Sequence, residues 1–150
     1  MKINHEAFII RNARGDDLPA IQALLQSLKL PTQGVQDHLP NFLVMVMDGQ
    51  IIGTVGLEIY RRKALLRSLA IARSFQGKKL GLKLYQSIME KARQQQITDC
   101  YLLTETAEEY FHRLGFRVID RSEANDEVKK SEEFRTACPA SATCMWKSLT

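Results

Sequence analysis

The sequence predicts a mixed α/β fold of the α+β kind, a mostly antiparallel sheet of about seven strands with helices on both faces. Three observations predict it. Apolar runs rich in β-branched residues alternate along the chain with segments whose apolar residues recur at helical spacing. Two of the runs meet at Asp48-Gly49, a dipeptide favoured in tight hairpin turns. A strand, a helix that opens on glycines and a further strand then form a β-α-β unit, which requires a parallel pair within the sheet.

The elements follow in order. "AFIIRNA" reads as the first strand, and "DDLPAIQALLQSLKL" as a helix with Leu18, Ile21, Leu24, Leu25 and Leu28 on one face and Asp16 or Asp17 as its cap. "NFLVMVMDGQIIGTVGLEIY" is a hairpin, and "ALLRSLAIA" extends it into a meander. Leu80, Leu84, Ile88 and Ala92 stripe a helix running to about Gln95. "TDCYLLTE" is a short strand of the kind buried on both faces. "AEEYFHRLGFRVID" gives a short helix stopped at Gly115 and another strand. The polar stretch from Arg121 to Arg135 reads as an exposed helix or loop, and "ATCMWKSL" is the last strand.

With 150 residues, no repeat and no linker-like boundary, the chain is expected to form one domain over residues 1–150. Its net charge of +4 is too modest to indicate a nucleic-acid partner, and no apolar run approaches a membrane span, so a cytoplasmic protein is expected. Cys100, Cys138 and Cys144 include no CxxC pair, which argues against a disulfide scaffold and a four-ligand zinc site; no metal is expected.

The segment "SFQGKKLGLKLY" places Gly77 and Gly81 in the first turns of an otherwise good helix, where each costs about 1 kcal/mol relative to alanine. A helix start has free N–H groups and a positive dipole end. Small residues there let an anionic group approach the backbone, which suits a diphosphate.

"LRSLAIARSFQGKKLGLKL" resembles the acyl-CoA-binding motif of the GNAT superfamily of N-acetyltransferases. In that motif Gln or Arg is followed by two variable residues, Gly, one variable residue, and Gly or Ala. Gln76 and Gly81 fill its ends, but Lys79 stands where the middle glycine usually is. "YFHRLGF" is similar to the family's short helix ending in Gly-Phe, and the element order matches throughout. "LLRSLAIA", "YLLTET" and "EFRTACPASATCM" further resemble a bacterial subgroup linked to arsenic resistance.

The resemblance implies a GNAT-like sheet with a splayed central strand pair and acetyl-CoA (coenzyme A) as co-substrate. The pantetheine arm would lie between the strand of Leu69, Ala70 and Ile71 and the strand of Leu102 to Thr104. The diphosphate would rest on the backbone of Gln76, Gly77, Lys78, Lys79, Leu80, Gly81 and Leu82, with Lys78, Lys79 and Lys83 either pairing with phosphates or forming a solvated face. Thr104 would bond to coenzyme or substrate. Most relatives carry an acid tyrosine four residues before the glycine of Gly-Phe, and Phe111 occupies that position here. Tyr110 is one residue away, about 100° around the helix, and reads as an acid or as groove packing.

Glu58 is the candidate base, or holds a cationic amine, unless it faces solvent. Arg67 and Ser68 precede the expected thioester site, and Ser68 is a further catalytic candidate. Arg67 pairs with Glu58, binds a substrate carboxylate or decorates the surface. Cys138 and Cys144 either bind a soft metalloid or lie in a turn and a buried strand, and His112 is expected to be exposed.

The leading reading is an acetyl-CoA-dependent N-acetyltransferase acting on a small-molecule amine, such as an amino-acid-like or arsenic-containing compound, with a homodimer compatible with the family. The rivals are a CoA-binding regulatory domain without turnover and a metalloid-binding protein using the C-terminal cysteines.

Overall fold

The computed structural model describes residues 7–131, 134–135 and 141–150. Its strands are β1 (Ile9–Asn12), β2 (Phe42–Met47), β3 (Gln50–Tyr60), β4 (Lys63–Ile71), β5 (Asp99–Thr104), β6 (Arg117–Ile119) and β7 (Thr143–Ser148). They form one sheet in the order β1-β2-β3-β4-β5-β7-β6. Every pairing is antiparallel except β4 with β5. The mixed, mostly antiparallel sheet expected from the sequence is therefore what the chain forms.

The β2–β3 turn has positive φ at both Asp48 and Gly49, as a tight hairpin with matching twist requires. Helices α1 (Leu18–Ser27) and α2 (Val35–His38) cover one face. There Ile21, Leu25 and Val35 pack with Phe42, Val44 and Ala70. Helix α3 (Leu80–Gln94) covers the other, where Leu84, Ile88 and Ala92 meet Met45, Val55, Leu57 and Leu66. Two further α-helices among the described residues are α4 (Glu108–Arg113) and α5 (Asp126–Lys129).

Two expectations are corrected. Asp17 makes no ordinary side-chain cap on α1. Its carboxylate instead accepts from the Arg14 backbone at 2.7 Å and from both terminal nitrogens of Arg11, closing the turn between β1 and α1. The polar stretch after Arg121 is not simply exposed, because Ala124 and Val128 are buried against Leu65, Tyr101 and Cys144.

The feature that shapes a site is at the centre of the sheet. β4 and β5 pair only at Lys63–Asp99, Ala64–Cys100 and Leu65–Tyr101, then part. On its other side β4 pairs Arg67 with Gly56 and Ala70 with Thr54, so Ser68 and Leu69 together oppose Val55. This is a β-bulge with Ser68 in the left-handed region at φ 60°. A bulge bends its strand and leaves backbone groups unpaired, and this one lies where β4 leaves β5. Among the described residues, no helix is long and apolar enough to cross a membrane, and no cluster of His, Cys, Asp and Glu could hold a metal ion.

Candidate active site

Where the strands part, the molecule has two cavities. A groove of about 740 Å³ runs along β4, the β4–α3 loop, the start of α3 and α4, lined by Leu69–Ile71, Phe75–Gly77, Lys79–Leu82, Ala107, Tyr110, Phe111, Arg113 and Leu114. A cleft of about 440 Å³ lies between the segment after α1, Leu28–Pro31, and the parted ends Leu66–Leu69 and Leu102–Ala107. Leu69, Ala107 and Phe111 line both. These three residues mark the boundary across which a group could pass from groove to cleft.

The groove's polar end is built by the β4–α3 loop. Gln76 donates from its side chain to the Ile71 carbonyl at 2.8 Å, which closes the loop on itself. Gly77 has φ +82° and nothing within 4 Å of where a Cβ would stand. It precedes the helix, so its reason is the turn rather than tolerance within a helix. Lys79 also lies outside the helix, as its N-cap, with φ 62° and ψ 21°. That left-handed backbone is one glycine adopts without steric cost, which explains why a glycine suits this position. The Lys79 residue is exposed at the groove's edge.

Gly81 is in the first turn of α3. A Cβ there would meet Ile71 and the Tyr110 hydroxyl at 3.8 Å, ordinary contact distance, so the glycine keeps the groove open beside the helix's free N–H groups. Lys78 sits over the Phe75 ring at 5.9 Å and Lys83 over Phe8 at 6.0 Å. Lys78 does not line the groove.

The aromatic pair on α4 is resolved by position. Phe111 is buried and faces both cavities, stacked edge-on against Tyr110 and Phe116. Tyr110 lines the groove alone, with its hydroxyl toward the α3 start. Burial raises the Tyr110 pKa above the ordinary phenol value, partly offset by Arg113, so the hydroxyl is a neutral donor. His112 is exposed.

Glu58 faces away from solvent and lines neither of these two cavities. It is 1% exposed and receives Arg67 at 2.7 Å and the Tyr60 hydroxyl at 2.5 Å, with His38 at 3.4 Å. The Arg67 guanidinium is equally buried. It also donates to the Gln33 carbonyl at 2.6 Å, the Pro31 carbonyl at 3.2 Å and the Ser68 hydroxyl at 3.0 Å. Of the three alternatives for Arg67, the pairing with Glu58 is the one formed, and surface decoration is excluded. Through these bonds Arg67 ties the segment after α1 to the bulge.

Ser68 lines the cleft while its oxygen accepts from Arg67. The Thr104 hydroxyl accepts from the Ala107 backbone at 3.0 Å, fixing the turn into α4. Cys100 and Cys144 are buried, whereas Cys138 lies outside the described residues. Phe75, Ala107, Arg113, Lys29 and Glu105 also line the two cavities. Sequence reading singled out none of them, since each lies in a connection or on a short helix with no spacing signal.

The open helix start at Gly77 and Gly81 thus stands beside a sheet that parts at its centre. Residues 10–116 match the sequence model of the Acetyltransferase (GNAT) family, and the chain belongs to that family. Its enzymes use acetyl-CoA as co-substrate, and the open groove at Gly77 and Gly81 fits that group.

The chain is 26% identical over 143 residues to an uncharacterized N-acetyltransferase of Chlorobaculum tepidum, covering 90% of each. It is 27% identical over 140 residues to the amino-acid acetyltransferase of Neisseria meningitidis, covering 85% of this chain and 32% of that one. The chain thus spans about a third of the length of the latter relative. The fold is shared with N-acetylglutamate synthase from Neisseria gonorrhoeae complexed with coenzyme A and N-acetyl-glutamate. That match has a TM-score of 0.83 at 22% identity, over 98% of this chain and 36% of that one. Rv2747 from Mycobacterium tuberculosis, in complex with CoA, matches with a TM-score of 0.79 at 22% identity, over 95% and 99%.

Proposed function

We propose that the protein transfers the acetyl group of acetyl-CoA to the amine of a small, amino-acid-like molecule, within a single domain spanning residues 1–150. The observation that carries this reading is the pair of cavities meeting at Leu69, Ala107 and Phe111. The groove takes the coenzyme, with the diphosphate on the backbone from Gln76 to Leu82, and the cleft takes the acceptor. The coenzyme supplies an acyl thioester: the amine forms a C–N bond and gives up a proton to solvent, and the C–S bond breaks with its electron pair leaving on sulfur as thiolate, which solvent reprotonates.

The chain's own contribution is mainly positioning. The bulge at Ser68–Leu69 offers unpaired backbone groups to the pantetheine amides and the thioester carbonyl. Phe111 packs beside the reacting carbon and carries no proton, and a thiolate can leave without a tyrosine acid because thiols are acidic, with a pKa of about 8.5. Tyr110 is better placed to donate to the coenzyme near the start of α3. Glu58 serves as an anchor for Arg67, because its carboxylate is saturated and outside both cavities.

The similarity to amino-acid acetyltransferases supports an amino-acid-like acceptor. An arsenic-containing amino-acid analogue belongs to the same chemical class, in keeping with the likeness of "LLRSLAIA" and "YLLTET" to the arsenic-linked subgroup.

Calorimetry with acetyl-CoA and CoA, followed by thiol release across a panel of amines, tests the reading. Binding and turnover of at least one α-amino acid are expected. Folded protein that gives no heat with either coenzyme form would sink the assignment, and coenzyme binding without turnover of any amine would make the protein a regulatory CoA binder.

A further inference from the structure

We infer that the cleft recognises the acceptor as a zwitterion, with Lys29 taking its carboxylate and Glu105 receiving its amino end. This rests on the proposed function and names the substrate class of the same site.

Three charged residues line the cleft: Lys29, Arg67 and Glu105. Arg67 is neutralised by Glu58, with which it forms a buried ion pair. Lys29 and Glu105 are exposed, and neither side chain makes an ion pair or hydrogen bond to another described residue. They stand on different walls. Lys29 lies in the segment after α1, whereas Glu105 lies just after β5 and two residues before Ala107, one of the residues bordering the groove proposed for the coenzyme. A zwitterion fits this polarity with its carboxylate away from the groove and its ammonium near it, where the ammonium gives a proton to solvent before the free amine attacks.

The backbone at Lys29 adds a second reason. The residue sits just beyond the α1 terminus at φ 59°, its N–H bonded to the Gln26 carbonyl at 3.1 Å. Glycine is the usual residue at such a helix end. Among the described residues, six non-glycine residues are left-handed, and three of them, Lys29, Ser68 and Lys79, line the two cavities. Strain of this kind concentrates at functional sites. The remaining three, Asp48, Arg61 and Gln96, are in turns or at a helix end.

The test pairs L-alanine, L-glutamate and L-phenylalanine with their α-carboxamides as acceptors. It compares wild type with Lys29→Gly, Lys29→Met, Lys29→Arg and Glu105→Gln. Wild type should prefer acid over amide by about tenfold or more in kcat/KM, as expected for a hydrogen bond to a charged group. Lys29→Gly and Lys29→Met should bring that ratio near unity, mainly through KM, and Lys29→Arg should retain most of it. Lys29→Gly should melt at or above the wild-type temperature and bind CoA normally, which separates recognition from a structural role. Glu105→Gln should weaken acids and amides alike, since both carry the amino group.

An acid preference that survives in Lys29→Gly and Lys29→Met overturns the inference, as does wild type that turns over amides as well as acids. Both outcomes leave the acetyltransferase reading standing. Absence of turnover with every amine refutes that reading and this inference with it.

Discussion

The Arg67 guanidinium donates to the Glu58 carboxylate at 2.7 Å with both side chains at most 1% exposed, and the same guanidinium holds the carbonyls of Pro31 and Gln33. A buried pair of this kind is costly to break from one side, because the remaining charge loses its partner. Glu58→Ala and Arg67→Ala should each destabilise the fold by about 3–5 kcal/mol. The double variant should lose clearly less than the sum. Urea unfolding of the four proteins gives the coupling. Additive losses would mean that the pair does not act as a unit.

Gly81 separates two demands on one position. A methyl group would find only ordinary contacts at 3.8 Å, so Gly81→Ala should fold normally and change stability by at most about 1 kcal/mol. Gly81→Glu adds bulk and a negative charge where a diphosphate would approach the helix start, and CoA heat should disappear in a protein with an unchanged circular dichroism spectrum. Normal CoA binding by the glutamate variant would place the phosphates elsewhere.

Much of this architecture is written in local patterns. The stripe of Leu80, Leu84, Ile88 and Ala92, the Asp48-Gly49 turn and the Gly115 stop each express a short-range rule, and each element forms where expected. The groove proposed for the coenzyme was readable for the same reason, since a glycine-opened helix after a strand is a contiguous signal. Lys79 shows the limit of that reading: it was expected in the helix, but it is a left-handed cap before it.

The cleft proposed for the acceptor was readable only in part, through Arg67, Ser68 and Thr104 and not through Lys29 or Glu105. It joins Lys29, Ser68 and Glu105 from three separate stretches, and only the bulge and the parting of β4 from β5 bring them together. The partners of Glu58 were only partly legible, because strand alternation gives a side chain's face and not what covers it. Here the cover comes from Arg67, Tyr60 and His38.

Two aspartates should shape the response to acid. Hydrogen bonding to the Arg11 guanidinium holds the Asp17 carboxyl below the usual range. Burial alone would push Asp99 up, but hydrogen bonds from Lys63, Thr98 and Trp146 outweigh it and hold that carboxyl low as well. A carboxyl with a folded-state pKa below its unfolded value of about 3.9 contributes stability above that value and loses it as pH falls through the folded pKa. Asp17→Asn and Asp99→Asn should therefore lower the urea midpoint at pH 7, and their difference from wild type should close below about pH 4. A constant difference down to pH 2 would show that the aspartates act through shape and not through charge.

The thiols give a test of the metalloid alternative. Cys100 is fully buried and Cys144 is 2% exposed, packed with Leu65, Tyr101 and Phe134. Burial raises their pKa values to about 12 and about 11. At pH 8 a thiol with a pKa near 11 is only about one part in a thousand thiolate, and thiolate is the form that reacts with disulfide reagents and binds soft ions. A Cys138→Ser variant should leave two cysteines that stay unlabelled by a disulfide reagent in native buffer and react fully in urea. Capture of trivalent arsenic by Cys144 would require β7 to give up its place against β5, where Cys144 pairs with Leu103. Rapid labelling of native Cys138→Ser at Cys144 would show that β7 opens readily although it is paired on both sides, and would return the C-terminal cysteines to consideration as a metalloid site.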